Sequence, residues 1–180
     1  MNEEIRSLEP KAIWNKFADL NAVPRPSKKE ERVIEFIKNL GNKLNLETEV
    51  DKVGNVIIRK PATPGMEDRK KVVLQSHLDM VHQKNNSTSF DFDSQGIEMF
   101  VEGDWVKAKG TTLGADNGLG VATMMALLES KDIEHPALEA LFTIDEETGM
   151  TGAKGLEPGK LEGEILLNLD TEEDDEIGIG

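Results

Sequence analysis

Lys71-Val72-Val73-Leu74-Gln75-Ser76-His77-Leu78-Asp79 is the stretch on which the reading of the fold turns. Its centre is apolar and β-branched, as a strand covered on both faces requires, and it runs without a break into His77 and Asp79. A buried strand therefore ends in polar side chains. Two further segments repeat the pattern. Residues 138–144 read as an interior strand followed by Asp145-Glu146-Glu147, and residues 165–169 as a third followed by Asp170.

The segments around these strands supply the rest of an α/β domain. Residues 7 to about 20 read as a helix with Pro10 in its first turn and Ile13, Phe17 and Leu20 on one side. Pro24-Arg25-Pro26 breaks it. Ser27 and Glu30 have the spacing of a capping box, ahead of a helical stripe of Val33, Ile34, Ile37, Leu40 and Leu44. Residues 47–51 and 55–60 suggest a hairpin through Gly54, and residues 97–101 and 105–108 another through Glu102-Gly103-Asp104. A glycine-rich loop over 111–120 precedes a buried helix over 121–128. There is no internal repeat. Strand, loop, helix and strand in succession predict an α/β fold with a mixed, at least partly parallel sheet. Ligands of such sheets collect at the carboxyl ends of the strands. His77, Asp79, Glu146, Glu147 and Asp170 fall there, together with the glycine-flanked Asp116.

Composition narrows the chemistry. Across 180 residues, 21 Lys and Arg face 35 Asp and Glu, a net charge of −14. The excess is uneven, with +3 over residues 1–90 and −17 over residues 91–180. Nucleic acids and acidic membrane surfaces reward clustered positive charge, so neither is an expected partner. Cysteine is absent, which removes disulfides, thiolate metal sites and thiol nucleophiles together. Any metal must be held by Asp, Glu or the three histidines His77, His82 and His135. No apolar run approaches the ~18 residues that span a bilayer, and Met-Asn-Glu-Glu-Ile-Arg is no signal peptide. The expectation is a soluble, cytoplasmic protein.

Carboxylates packed together repel one another unless a cation lies between them. His77 and Asp79 are two residues apart, so in extended chain they point to the same side and Asp79 can receive the second ring N–H of a metal-bound histidine. His-x-Asp by itself is more often a chance neighbour pair; its place at the end of a buried strand reverses that preference. Adjacent Glu146 and Glu147 point to opposite sides of an extended segment, so one can bind metal while the other serves as base. Leu113-Gly-Ala-Asp-Asn-Gly-Leu-Gly120 is neither a phosphate loop nor a dinucleotide fingerprint. Its glycines instead let backbone approach an ion closely. The Gly-x-Ser-x-Gly elbow of serine hydrolases is missing. So is an EF-hand loop, and an imidazole ligand suits zinc, cobalt or manganese better than calcium. His82 reads as a loop histidine, His135 as exposed, and the acidic run 172–176 as a solvated segment.

Ser76-His-Leu-Asp-Met-Val-His82, Leu113-Gly-Ala-Asp-Asn-Gly118, Phe142-Thr-Ile-Asp-Glu-Glu-Thr-Gly-Met-Thr-Gly152 and Leu167-Asn-Leu-Asp-Thr171 together resemble the dinuclear zinc metallopeptidases, the family that includes carboxypeptidase G and succinyl-diaminopimelate desuccinylase. The resemblance runs in order along essentially the whole chain. It implies a three-layer α/β/α zinc-peptidase-like catalytic domain and a cocatalytic pair of divalent ions, zinc with cobalt or manganese as alternatives. By resemblance His77 and Asp170 hold one ion, Glu147 holds the other and Asp116 bridges them. Asp79 orients His77, Glu146 is the general base acting on a bridging water, and a cis peptide follows Asp116. The implied reaction is hydrolysis of dipeptides, Xaa-His and broader. A related carboxypeptidase, tripeptidase or deacylase, or a non-catalytic metal-binding module, remains as an alternative. Relatives add a late histidine to the ion held by Glu147 and a lid that dimerises. The expectation is therefore that residues 1–180 form the N-terminal part of the catalytic domain, without lid or late histidine, with inactivity of this stretch by itself among the expected outcomes.

Overall fold

The structure is a computed structural model, and residues 2–171 and 177–179 are described. The acidic run 172–176 lies outside the described residues. In chain order the elements are α1 (Glu3–Arg6), α2 (Lys11–Asn21), α3 (Glu31–Lys43), β1 (Glu47–Val50), β2 (Val56–Lys60), β3 (Val72–His77), β4 (Met99–Glu102), β5 (Trp105–Ala108), α4 (Ala115–Glu129), β6 (Leu138–Thr143), α5 (Thr151–Gly155) and β7 (Ile165–Asn168). No helix among the described residues is long and apolar enough to cross a membrane.

Five strands form one sheet in the order β1-β2-β6-β3-β7, and β4 pairs with β5 as a separate hairpin. The sheet is mixed. β2 runs antiparallel to both β1 and β6, whereas β3 runs parallel to β6 and β7. Alternation along each strand decides what it buries. Val56 and Ile58, Leu74, and Leu138, Ala140 and Phe142 join Val33, Ile37, Val121 and Met124 of the helices in the main core. Ile57, Val73 and Leu141 point the other way, where Leu156 and Leu161 cover them. Parallel register sets His77 of β3 beside Thr143 of β6, so the polar residues after both strands emerge at one edge.

Local structure departs from the sequence reading in four places. The first predicted helix, residues 7 to about 20, starts only at Lys11, because Pro10 is extended at ψ 123° and precedes α2 instead of lying in its first turn, and the short α1 lies before the predicted segment. The Ser27/Glu30 capping box does not form; Glu30 is the N-cap residue of α3 without a side-chain cap, and both side chains are drawn elsewhere. α4 begins at Ala115, six residues before the predicted start, with non-helical backbone at Asp116 and Asn117. The third predicted strand, β7, is not interior. Among the described residues it pairs on one side only, and Ile165, Leu166 and Leu167 are 41%, 61% and 47% exposed.

Candidate metal centre

His77 ends β3 with its ring 1% exposed. Its Nδ1 lies 3.1 Å from the backbone carbonyl of Asp79 and 3.3 Å from that residue's Oδ1. Both are acceptors, so Nδ1 carries a proton and Nε2 is the atom turned to the site. Nε2 stands 3.0 Å from Asp116 Oδ1, 3.8 Å from Asp170 Oδ2 and 4.0 Å from Glu146 Oε2. Burial works against a charged ring here. The hydrogen bond and charge of Asp79, with Asp170 and Asp116, outweigh it and raise the pKa to about 9.

Asp79 is fully buried and joins three loops. Its Oδ1 accepts the Glu146 N–H at 2.9 Å, while its Oδ2 accepts the Ser27 hydroxyl at 2.8 Å and the Glu147 N–H at 3.3 Å. Burial alone would raise its pKa, but hydrogen bonds from His77, the Glu146 N–H and Ser27 prevail and hold it low. The loop that bears the two glutamates turns at Asp145, whose φ of 53° lies in the left-handed region. The Asp145 carboxylate takes hydrogen bonds from Lys28 Nζ at 2.7 Å and from the hydroxyls of Thr148 and Thr151. Burial opposes its charge, yet these donors bring its pKa down to about 2.

Asp116 and Asn117 sit at the irregular start of α4, and the peptide bond between them is cis, as the resemblance implies. Asn117 Nδ2 donates to Leu169 O at 2.7 Å and to Asp170 Oδ1 at 2.8 Å. A Cβ at Gly120, one turn on, would stand 2.5 Å from Ser76 Oγ and 2.6 Å from Asn117 Oδ1, so only glycine leaves that amide in place. Burial raises the pKa of Asp170, and the charges of Asp116 and Glu146 add to it against His77. Glu147 is raised as well, by burial and then by Asp116 and Asp79. Crowded, half-buried like charges with raised pKa values are what a cation would relieve.

His77, Asp116 and Asp170 present donor atoms that all lie within 4.8 Å of one another, and Glu146 borders them. Glu147 does not enter that group; its surroundings tie it to Asp116 and to the Val81 N–H. Glu30, Asp79 and Asp145 form a second cluster of the same span. Each of its members already has a donor: the Lys28 N–H at 2.9 Å for Glu30, Ser27 for Asp79 and Lys28 Nζ for Asp145. His82 belongs to neither cluster and packs edge-on against Phe92, with ring centroids 5.8 Å apart. His135 is buried at 6% exposure, not exposed as its acidic surroundings suggested, because its Nδ1 and backbone bond to Pro136 O and Thr63. Arg25, Ser27, Lys28, Asp145 and Asn117 were not among the site residues read from sequence. Ser27 had a local reading as a helix cap that its structure replaces.

Residues 73–176 match Peptidase family M20/M25/M40. Over 177 residues the chain is 49% identical to the cytosol non-specific dipeptidase of Escherichia coli (strain K12), covering 98% of this chain and 36% of that protein. The crystal structure of aminoacylhistidine dipeptidase from Vibrio alginolyticus superposes with a TM-score of 0.94 at 51% identity, over 96% of this chain and 35% of that one. An aminopeptidase from Bacillus cereus superposes at 0.74 with 25% identity, over 89% and 43% of the two chains. The chain thus spans 35–43% of the length of these three relatives.

Proposed function

The chain belongs to Peptidase family M20/M25/M40, and from that premise we propose that it serves metal-dependent hydrolysis of dipeptides, Xaa-His among them. The observation that carries this reading is the gathering of His77 Nε2, Asp116 and Asp170 within 4.8 Å, with Glu146 at its border. Half the residues are shared with two proteins named as dipeptidases, which favours that substrate class over the tripeptides and N-acyl amino acids that related enzymes would take.

An imidazole nitrogen and closely spaced carboxylates fit a borderline divalent ion such as zinc, cobalt or manganese. His77 and Asp170 would hold one ion and Glu147 a second, with Asp116 shared between them. When bound, such ions supply Lewis acidity toward a scissile carbonyl and make water a stronger acid. The remaining chemistry belongs to side chains. Glu146, partly exposed beside His77, takes the proton of the attacking water and returns it to the leaving amine. Asp79 keeps the His77 ring in the tautomer that leaves Nε2 free, and through the Glu146 N–H it places the base.

The test uses the protein as expressed from its own gene, stripped of metal. Zinc and calcium are titrated separately, and the zinc-loaded protein is assayed against Xaa-His dipeptides, other dipeptides, tripeptides and N-acyl amino acids. Zinc binding tighter than calcium binding, with preferred cleavage of dipeptides, is the expected result. Turnover of N-acyl amino acids or tripeptides in preference would replace the substrate class, and metal uptake without any turnover would leave a binding module.

A further inference from the structure

Arg25 is the largest side chain that the fold buries completely, at 1% exposure. Its hydrogen bonds go to uncharged oxygens in three segments. Nη1 donates to Leu78 O at 3.1 Å and Asp79 O at 3.3 Å, while Nη2 donates to Gly114 O at 2.6 Å and to Asn21 Oδ1 at 3.0 Å. Leu78 and Asp79 follow His77 directly, and Gly114 stands two residues before Asp116. The guanidinium is therefore inserted between the two arms of chain that bring His77 and Asp116 face to face.

The surroundings are shaped to admit it. A Cβ at Gly114 would lie 2.5 Å from Nη2 and one at Gly118 would lie 2.6 Å from it. The backbone on either side is fixed to the first arm as well: the Met80 N–H bonds to Arg25 O at 3.2 Å and the Ser27 N–H to Met80 O at 3.3 Å. Burying a cation without a directly bonded carboxylate costs free energy that ordinary core packing would avoid. Burial lowers the guanidinium pKa to about 10, and Asp79, Asp116 and Glu147 act against that loss, so the charge persists near neutral pH and faces the acidic site. Arg25 also lies outside the matched segment 73–176.

We propose that Arg25 is a positioning residue for the metal centre. Its planar fork ties the His77–Asp79 arm to the Asp116 arm at a fixed spacing, which holds His77 Nε2 and the Asp116 carboxylate at ligating separation. Lysine keeps the charge but is a point donor without the fork. The inference rests on the metal-dependent reading above and deepens it by naming a residue that sets the site's geometry without touching ion or substrate.

The experiment compares Arg25→Lys and Arg25→Met with the natural protein, using zinc as the probe. Zinc affinity is measured against a competing chelator, melting of the metal-free protein by circular dichroism, and kcat and KM for a dipeptide at saturating zinc. The expected result is a loss of zinc affinity of about tenfold to a hundredfold in either folded variant, the range seen when groups behind metal ligands are removed. It is accompanied by a fall in kcat larger than any change in KM. A merely structural arginine would lower the melting temperature and leave zinc affinity and kcat of the folded protein within about twofold, and that result overturns the proposal. If Arg25→Met does not fold, Arg25→Lys decides. A natural protein that takes up no zinc removes the metal-centre reading and this inference with it; zinc binding that is equal in natural protein and variants removes this inference alone.

Discussion

Ser27 donates its hydroxyl to Asp79 Oδ2 at 2.8 Å across 52 residues of sequence. The same carboxylate receives the backbone N–H groups of Glu146 and Glu147 and faces Nδ1 of His77. One buried acid thus sets the relative positions of the loop before α3, the end of β3 and the loop after β6. The consequences of disturbing that arrangement are measurable.

Ser27→Ala leaves Asp79 buried with one donor fewer. Loss of a hydrogen bond to a buried charge predicts destabilisation of about 1.5–3 kcal/mol, read from urea unfolding of the metal-free protein. An unchanged midpoint would show that the hydroxyl contributes nothing to Asp79.

Glu146→Gln keeps shape and removes the base. Turnover of a dipeptide should fall by about two orders of magnitude or more, while metal content by elemental analysis stays as in the natural protein. Hydrolysis at the natural rate would exclude Glu146 as the proton acceptor.

With a pKa of about 9, His77 of the metal-free protein is protonated near neutral pH, and an imidazole must be neutral to ligate. Zinc uptake at that pH should therefore release about one proton from this ring, visible in calorimetry as a dependence of binding heat on the buffer's protonation enthalpy. The sign for stability follows from the same shift. The folded value lies above the ordinary 6.5, so the contribution of His77 to the metal-free fold is fully present below pH 6.5 and is lost as pH rises through about 9. A melting temperature of the metal-free Asp79→Asn variant that falls over this interval as steeply as the natural protein's would contradict that linkage.

Gly120→Ala adds helix propensity worth about 1 kcal/mol. The new Cβ, however, would meet Ser76 Oγ at 2.5 Å, Asn117 Oδ1 at 2.6 Å and the Leu169 carbonyl at 2.9 Å, and one of these is backbone that cannot swing aside. Overpacking of about 1–3 kcal/mol should outweigh the gain, and the displaced Asn117 amide should weaken zinc binding through Asp170. A stabilised variant with natural zinc affinity would show that this packing is slack.

Asp145→Ala and Lys28→Met cut the same ion pair from opposite ends and should differ. Lys28 is 59% exposed while Asp145 is 3% exposed, so losing the lysine should cost about 1 kcal/mol or less. Losing the buried aspartate also removes the shared acceptor of the Thr148 and Thr151 hydroxyls and a side chain that tolerates left-handed backbone, a cost of about 2 kcal/mol or more. Equal destabilisation in urea unfolding would refute this asymmetry.

The sequence by itself determined the class of fold and the edge at which chemistry collects. Short apolar, β-branched runs such as residues 72–74 favour covered strands, and polar residues directly after them emerge at the strand ends; both signals are local and are written in composition and spacing. His77, Glu146 and Asp170 could be placed at that edge for this reason, and Asp116 through the glycines that flank it. What only the tertiary structure decided are the pairings between distant segments. Ser27 has a local option as a helix cap and a distant one as donor to Asp79, and spacing alone cannot rank them. Arg25 between two prolines looks like a chain break until the arms of His77 and Asp116 close around it. His135 among acidic neighbours suggests exposure, and Leu166 in an apolar run suggests burial, yet Thr63 covers one and the sheet order leaves the other at an edge. Hydrogen bonds and burial depend on separations in space, which periodicity along the chain does not record.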